Sequence, residues 1–352
     1  MGRSSASAVD QSQVRQAPSA RSLPMRPLAL FALLLLLSSI SIVFSMTSGS
    51  MPIGWHDLLS AVQGDGHGLA TQVLLDLRWP RTVAAYVTGA LLALAGGLMQ
   101  VLLRNPLADP YVLGISGGAA VAALLMLLLG LGGLWLQGAA LTGALLSMLL
   151  VFGLSHGHGS WNISRLLLTG VVVAAGWGAA IGFLLAVSPE QNLRGMLFWL
   201  MGDLSNSTTP VGSLIVLGAG LLTSVASGRS LNLLAHGEVV AASLGVSIRG
   251  LRRLIYVLAS LLTATAVTSA GTIGFVGLIV PHMLRLRGVR DHRVLLPASA
   301  LLGGCLLVLA DTLARTLLAP RQLPVGILTA LVGVPVFLYL LYQGREHSGR
   351  DG

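Results

Sequence analysis

Residues 104–116 read Arg-Asn-Pro-Leu-Ala-Asp-Pro-Tyr-Val-Leu-Gly-Ile-Ser, RNPLADPYVLGIS, and separate two long apolar runs at 83–103 and 112–134. Pro106 and Pro110 each lack a backbone donor and push the preceding residue out of helical geometry. One helix is therefore expected to end near Asn105 and the next to begin after Pro110, with a rigid turn between them. Outward from this turn the pattern repeats. Apolar runs lie near 28–46, 136–154, 164–187, 210–227, 254–270, 294–314 and 325–342, with a shorter one at 271–284. Each long run approaches the roughly 20 residues that carry a helix across a hydrocarbon core of about 30 Å. The fold class expected is an all-α integral membrane protein of about ten transmembrane helices. One transmembrane domain at 27–343 would stand between cytoplasmic tails at 1–26 and 344–352.

Composition agrees, with 54% hydrophobic and only 9% charged residues among 352, against about a quarter charged in soluble domains. No lysine occurs, so all 21 basic residues are arginines. A phosphate-binding P-loop needs its lysine, and Schiff-base catalysis needs an amine. Neither chemistry can reside here, so no ATPase site of its own is expected. The formal charge of +9 raises the question of nucleic acid, which its distribution answers. Ten crossings from a cytoplasmic N-terminus place sixteen arginines inside and five (Arg78, Arg81, Arg194, Arg315, Arg321) outside, as the positive-inside rule requires. The charge reports topology and no nucleic-acid partner is expected. The single cysteine, Cys305, excludes disulfide frameworks and CxxC metal sites.

The polar interruptions carry the remaining signals. The 188–209 stretch, SPEQNLRGMLFWLMGDLSNSTT, suits an amphipathic helix at the outer interface. The 271–282 stretch, GTIGFVGLIVPH, is short and broken by Gly and Pro, a pattern tolerated in a membrane only where protein or water satisfies the backbone. RWPR at 78–81 places Arg78 and Arg81 at an expected helix start, where the macrodipole disfavours cations; an anion should offset them, a lipid headgroup being one candidate. Asp311, four residues before Arg315, is expected to orient it. LNLLAHGEVVAASLG at 231–245 is read as a short helix with a close-packing face of Glu238, Ala241, Ala242 and Gly245. His156 and His158 lack nearby acid or thiolate ligands, so no metal site is expected, and His282 reads as a packed or pathway-lining residue.

These blocks together resemble one family. RWPRTVAAYVTGALLALAGGLMQVLLRNPLADPYVLGISGGAA is similar to the second and third helices of the FecCD-type permeases, the BtuC-like membrane subunits of ABC importers for iron-siderophores, haem and vitamin B12. GTIGFVGLIVPHMLRL, DHRVLLPASALLGGCLLVLADTLAR and LPVGILTALVGVPVFLYLL resemble the last three helices in order, and the similarity runs from about Ile53 to Tyr342. The resemblance implies the type II importer permease architecture and a cytoplasmic gate at Asn105 and Leu107, with Ile163 and Ser164 as its companion constriction. Ile163 departs from the small polar residue of the B12 permease. It further implies that Glu238, Ala241, Ala242 and Gly245 dock on an ATPase subunit. Arg78, Arg81 and Arg315 are implied to meet glutamates of a periplasmic binding protein.

The partners implied are two ATPase copies using ATP and Mg, a binding protein, and a second permease copy or a paralogue. No cofactor is expected on this chain. The location implied is a bacterial inner membrane with both termini cytoplasmic. An ion-coupled transporter working alone would need acidic residues at mid-bilayer, which the runs nearly lack. A membrane enzyme would need clustered acids that are not seen. Iron-siderophore, cobalamin and haem share the same motifs, and Gln322, where a glutamate often precedes LPVG, names none of them.

Overall fold

A computed structural model describes residues 26–49, 51, 53–63, 68–155, 163–205 and 210–348. The expected N-terminal tail, apart from Arg26, and the histidine pair at 156 and 158 lie outside these residues, as do the last four of the expected C-terminal tail. Fifteen α-helices follow in order: α1 Pro27–Thr47, α2 Trp55–Gln63, α3 Leu69–Gln72, α4 Trp79–Leu102, α5 Ile115–Leu128, α6 Leu134–Ser155, α7 Ile163–Val187, α8 Glu190–Leu200, α9 Val211–Ala226, α10 Gly228–Ala235, α11 Glu238–Ser243, α12 Ile248–Ala270, α13 Val276–Leu286, α14 His292–Thr316 and α15 Val325–Ser348. Among the described residues there is no strand. Six helical stretches are long and apolar enough to span a membrane, and α9 with α10 forms a seventh bent by 61°. The shorter apolar helices α5, α13 and α15 complete the expected ten or so. Helix α8 supplies the short helix expected from 188–209, and α15 continues to Ser348, beyond the boundary expected at 343.

The beginning of the second span differs from expectation. Helix is continuous from Leu69 to Leu102, passing through a π-helical turn at Val73–Arg78 in which the Trp79 amide donates to the Leu74 carbonyl. That wider turn admits Pro80 inside the helix, where its missing donor and its ring would otherwise break the ladder. Arg78 and Arg81 therefore sit more than two turns into a helix, and the macrodipole argument for an anion there does not apply.

Helix α4 is the central pillar, with every residue from Thr88 to Leu102 buried. Its glycines remove side chains where backbones meet. A Cβ on Gly96 would lie 1.9 Å from the Gly277 carbonyl oxygen of α13, and one on Gly89 would lie 2.2 Å from that of Gly303 in α14. Contacts this close give packing where lipid supplies no hydrophobic drive between helices. Helix α7 is the opposite case, with only 11% of its spanning window buried.

The broken stretch forms as anticipated. The chain leaves α12 through Gly271 (φ +69°) and enters α13 through Phe275, a non-glycine residue at φ +71°. Because Gly277 meets Leu92 and Gly96 near the middle of α4, α13 starts halfway along that pillar. Its 11 residues cover roughly 16 Å, about half the membrane core. Protein satisfies the irregular backbone here: the Ile273 amide donates to the Tyr111 hydroxyl (3.0 Å), the Asp203 amide to the Ala270 carbonyl (2.9 Å) and the Val325 amide to the Gly202 carbonyl (3.0 Å).

Candidate coupling and gating site

The arginine-rich end of the bundle gathers the turn after α4, the α10–α11 segment and the starts of α12 and α14. Helix α4 closes with Arg104 in the left-handed region at φ +49°, and the Asn105 amide reaches back to the Gln100 carbonyl at 3.2 Å. Glycine ordinarily fills this position, since a Cβ is strained there. Asn105 Oδ1 then accepts from the Leu107 amide at 2.9 Å, and Asp109 Oδ1 from the Tyr111 amide at 2.8 Å, capping a 3-10 turn at Pro110–Leu113. Burial raises the Asp109 carboxyl to about 6, with the Tyr111 amide opposing the shift. The turn folds back along α4, because Pro110 lies against Gly277. Asn105 and Leu107 remain exposed at its tip.

Ile163 and Ser164 open α7, and Ile163 is half-buried against the main apolar core. Two turns on, Gly170 rests on the Val112 carbonyl, where an added Cβ would come within 2.5 Å. The same 3-10 turn therefore braces α7 and carries the Asn105–Leu107 tip.

The 231–245 segment is not one helix. Gly237 at φ +125° separates α10 from α11, and Gly245 at φ +81° ends the second. This changes which residues face outward. Ala241 is fully buried, whereas Ala242 and Gly245 are exposed together with Val239 (83%), Val240 and Leu244 (62%). Glu238, read as part of the docking face, turns toward its own bundle. One carboxylate oxygen meets Arg104 Nη2 at 2.6 Å and also pairs with Arg252 of α12. Burial, and after it the neighbouring Arg252 charge, lowers the pKa of the Arg104 guanidinium without threatening its charge. Sequence reading missed Arg104 and Arg252 because 134 and 14 residues separate them from Glu238.

A second tie holds α10. Asn232 donates to Asp291 Oδ1 at 2.8 Å, while its own Oδ1 accepts from the His292 amide at 2.9 Å. Asp291 also caps α14 by accepting from the Arg293 amide at 2.9 Å. The Asn232 amide, and then the Arg293 amide, hold the Asp291 carboxyl below the usual range. Between α10, the end of α11 and the start of α12 lies an open cleft of about 470 Å³, bordered by Arg229, Leu233, Leu244 and Leu254.

At the other end the arginines expected to meet a binding protein point inward. Arg78 is 5% exposed and donates to the Met46 and Met51 carbonyls, both at 2.5 Å. Arg81 grips Asp311 through Nε and Nη2 at 2.8–3.1 Å and donates to Gln322 at 2.7 Å. Arg315 donates to the Ser45 hydroxyl at 2.7 Å and to the Ser45 carbonyl. Asp311 thus serves both arginines, hydrogen-bonded to Arg81 and, as its spacing led one to expect, paired with Arg315 Nε at 3.9 Å. The three charges tie α1, α4 and α14 together, against the expectation that they are offered outward. Gln322 serves here as an acceptor for Arg81. Among the described residues no group of three metal-ligating side chains gathers.

Comparison with known proteins accords with this arrangement. The model of the FecCD transport family matches residues 34–343. The haemin transport system permease HmuU of Yersinia pestis is 41% identical, over 92% of this chain and 98% of its own. An uncharacterised ABC transporter permease of Bacillus subtilis, YvrB, is 41% identical over 88% and 92% respectively. The cobalamin import permease BtuC of Halobacterium salinarum is 43% identical over 79% and 75%. A solved structure assigned to the metal-chelate type of ABC transporter, in an inward-facing conformation, superposes with a TM-score of 0.80 at 31% identity, covering 90% of this chain and all of that one. With a family match across nearly the whole helical bundle, the chain belongs to the FecCD transport family and is a permease subunit of an ABC transporter.

Proposed function

We propose that the chain forms the translocation path of an importer in a bacterial inner membrane, with both termini cytoplasmic, that brings a metal chelate inward. Iron-siderophore is the first choice of cargo, and haem and cobalamin are the alternatives supported by the relatives. A periplasmic binding protein delivers the cargo, and two copies of a separate ATPase supply ATP and Mg chemistry, since a lysine-free chain has no P-loop lysine. The observation that carries this reading is the apolar face of α11. Val239 and Val240 on this six-residue helix and Leu244 just after it stand exposed at the arginine-rich end, beyond the apolar spans, where such a patch marks a protein contact. A second permease copy covers α7, the least buried span. ATP-driven closure of the ATPase pair draws the two α11 helices together and favours one access state over the other.

The test has two parts. A deletion strain and its complemented parent are supplied in parallel with radiolabelled iron-siderophores, haemin and cobalamin, and loss of one uptake names the cargo. Leu244→Arg is then expected to abolish co-purification of the ATPase while the permease keeps its elution profile. Retention of the ATPase by that variant refutes α11 as the docking element.

A further inference from the structure

The position of Glu238 calls for a role other than contact with the ATPase. Its carboxylate lies on the inner side of α11, between Arg104 of the turn and Arg252 of α12. Arg104 holds an unfavourable left-handed backbone in a position that glycine would fill without strain. Leaving that strain in place makes sense if the side chain is needed, and among the described residues that side chain makes an ion pair with Glu238. Arg104 is adjacent to Asn105 and three residues before Leu107, with the Asn105–Leu107 hydrogen bond making the tip a closed unit.

We infer that Arg104 is a positioning residue, which through Glu238 transmits displacement of α11 to the Asn105–Leu107 turn, with Arg252 as the anchor on α12. This rests on α11 being the element an ATPase moves. The physical basis is a short, charge-assisted pair whose members sit on two separate segments. Arg252 is the better buried of the two arginines, with 12% of its side chain exposed against 39% for Arg104. The linkage to the turn is therefore the more easily exchanged half, and the linkage to α12 the more permanent.

The experiment uses the assembled transporter, permease with ATPase, in vesicles. Leu107→Cys reports on the turn through its rate of modification by a membrane-impermeant maleimide, measured without nucleotide and after trapping with ATP and vanadate; the only native cysteine, Cys305, is buried. With Arg104 present, trapping is expected to change the rate by about tenfold, within the usual span of allosteric coupling. Arg104→Gly suits the backbone, so the protein should fold at least as well. It is nevertheless expected to reduce the change to less than twofold, with the ATPase still co-purifying. Arg104→Lys, which keeps the charge, should restore most of it. Glu238→Gln removes the pairs to both arginines, so adding Arg104→Gly to it should reduce the change no further than Glu238→Gln alone.

A full nucleotide-dependent change in Arg104→Gly overturns the inference, as does a turn that never responds in the parent. Failure of any ATPase to co-purify with the parent refutes the docking reading instead.

Discussion

Replacing Asp311 by asparagine tests whether the outer arginines are internal ties. Asp311 is 1% exposed and is bonded to Arg81, with Arg315 at 3.9 Å. Asparagine preserves the shape and one acceptor but removes the only carboxylate paired with these arginines among the described residues. At an effective dielectric constant near 20, a pair about 4 Å apart is worth about 4 kcal/mol, and stranding a buried charge by removing its partner costs about 3–5 kcal/mol. At roughly 2 °C per kcal/mol for a chain of this size, the unfolding midpoint in detergent should fall by about 6–10 °C. Arg81→Gln should cost about half as much, because Asp311 keeps Arg315 beside it. The order of the two variants is the sharper criterion. It is read by thermal unfolding monitored with size-exclusion chromatography. A midpoint shift under about 2 °C for Asp311→Asn, or a larger shift for Arg81→Gln, refutes the internal role and returns these arginines to an external partner.

Gly96→Ala should push α13 from α4, since the new methyl would meet the Gly277 carbonyl at 1.9 Å; a loss of about 1–3 kcal/mol is expected, checked by the same unfolding assay, with Gly176→Ala in open space as the control. Val239→Glu should leave stability within about 0.5 kcal/mol, the usual effect of a surface change, while releasing the ATPase in co-purification. Asn232→Ala should lower stability at neutral pH by about 1 kcal/mol through the lost hydrogen bonds. The sign with pH follows from Asp291, whose depressed pKa contributes stability present above about 4 and lost as pH falls through the folded value; the deficit of Asn232→Ala against the parent should therefore shrink when unfolding is repeated near pH 3.

The sequence made the bundle legible because lipid imposes a simple pattern: apolar runs of sufficient length, with arginines sorted to one end. Pro106 and Pro110 marked the turn for reasons local to the chain. RWPR misled as a helix start, because helix already runs through a π-helical turn just before it. The split at Gly237 was hidden for a related reason. Nothing in GEVVAASLG alone says that its first glycine adopts φ +125°, and that choice rotates Glu238 and Ala241 inward. The side-chain ties were the least readable part. Arg81 with Asp311, and Arg104 with Glu238, join residues 230 and 134 positions apart, and helical spacing speaks only to neighbours three or four residues away. It accordingly found Arg315, which does pair with Asp311 at 3.9 Å, and not Arg81, which from another helix makes the closer fork.

The backbone contacts of α4 bear on how such a molecule can move. Where Gly96 meets Gly277 and Gly89 meets Gly303, no side chains stand between the helices that could swap rotamers to accommodate a shift. Main-chain surfaces in register either stay together or separate altogether. Helices α4, α13 and α14 are thus built as a stator, a block whose backbone contacts resist internal sliding. The parts free to shift against it are the ones joined to it by fewer backbone contacts: α7, which packs on α5, α6 and the 3-10 turn, and the paired short helices α10 and α11 at its end.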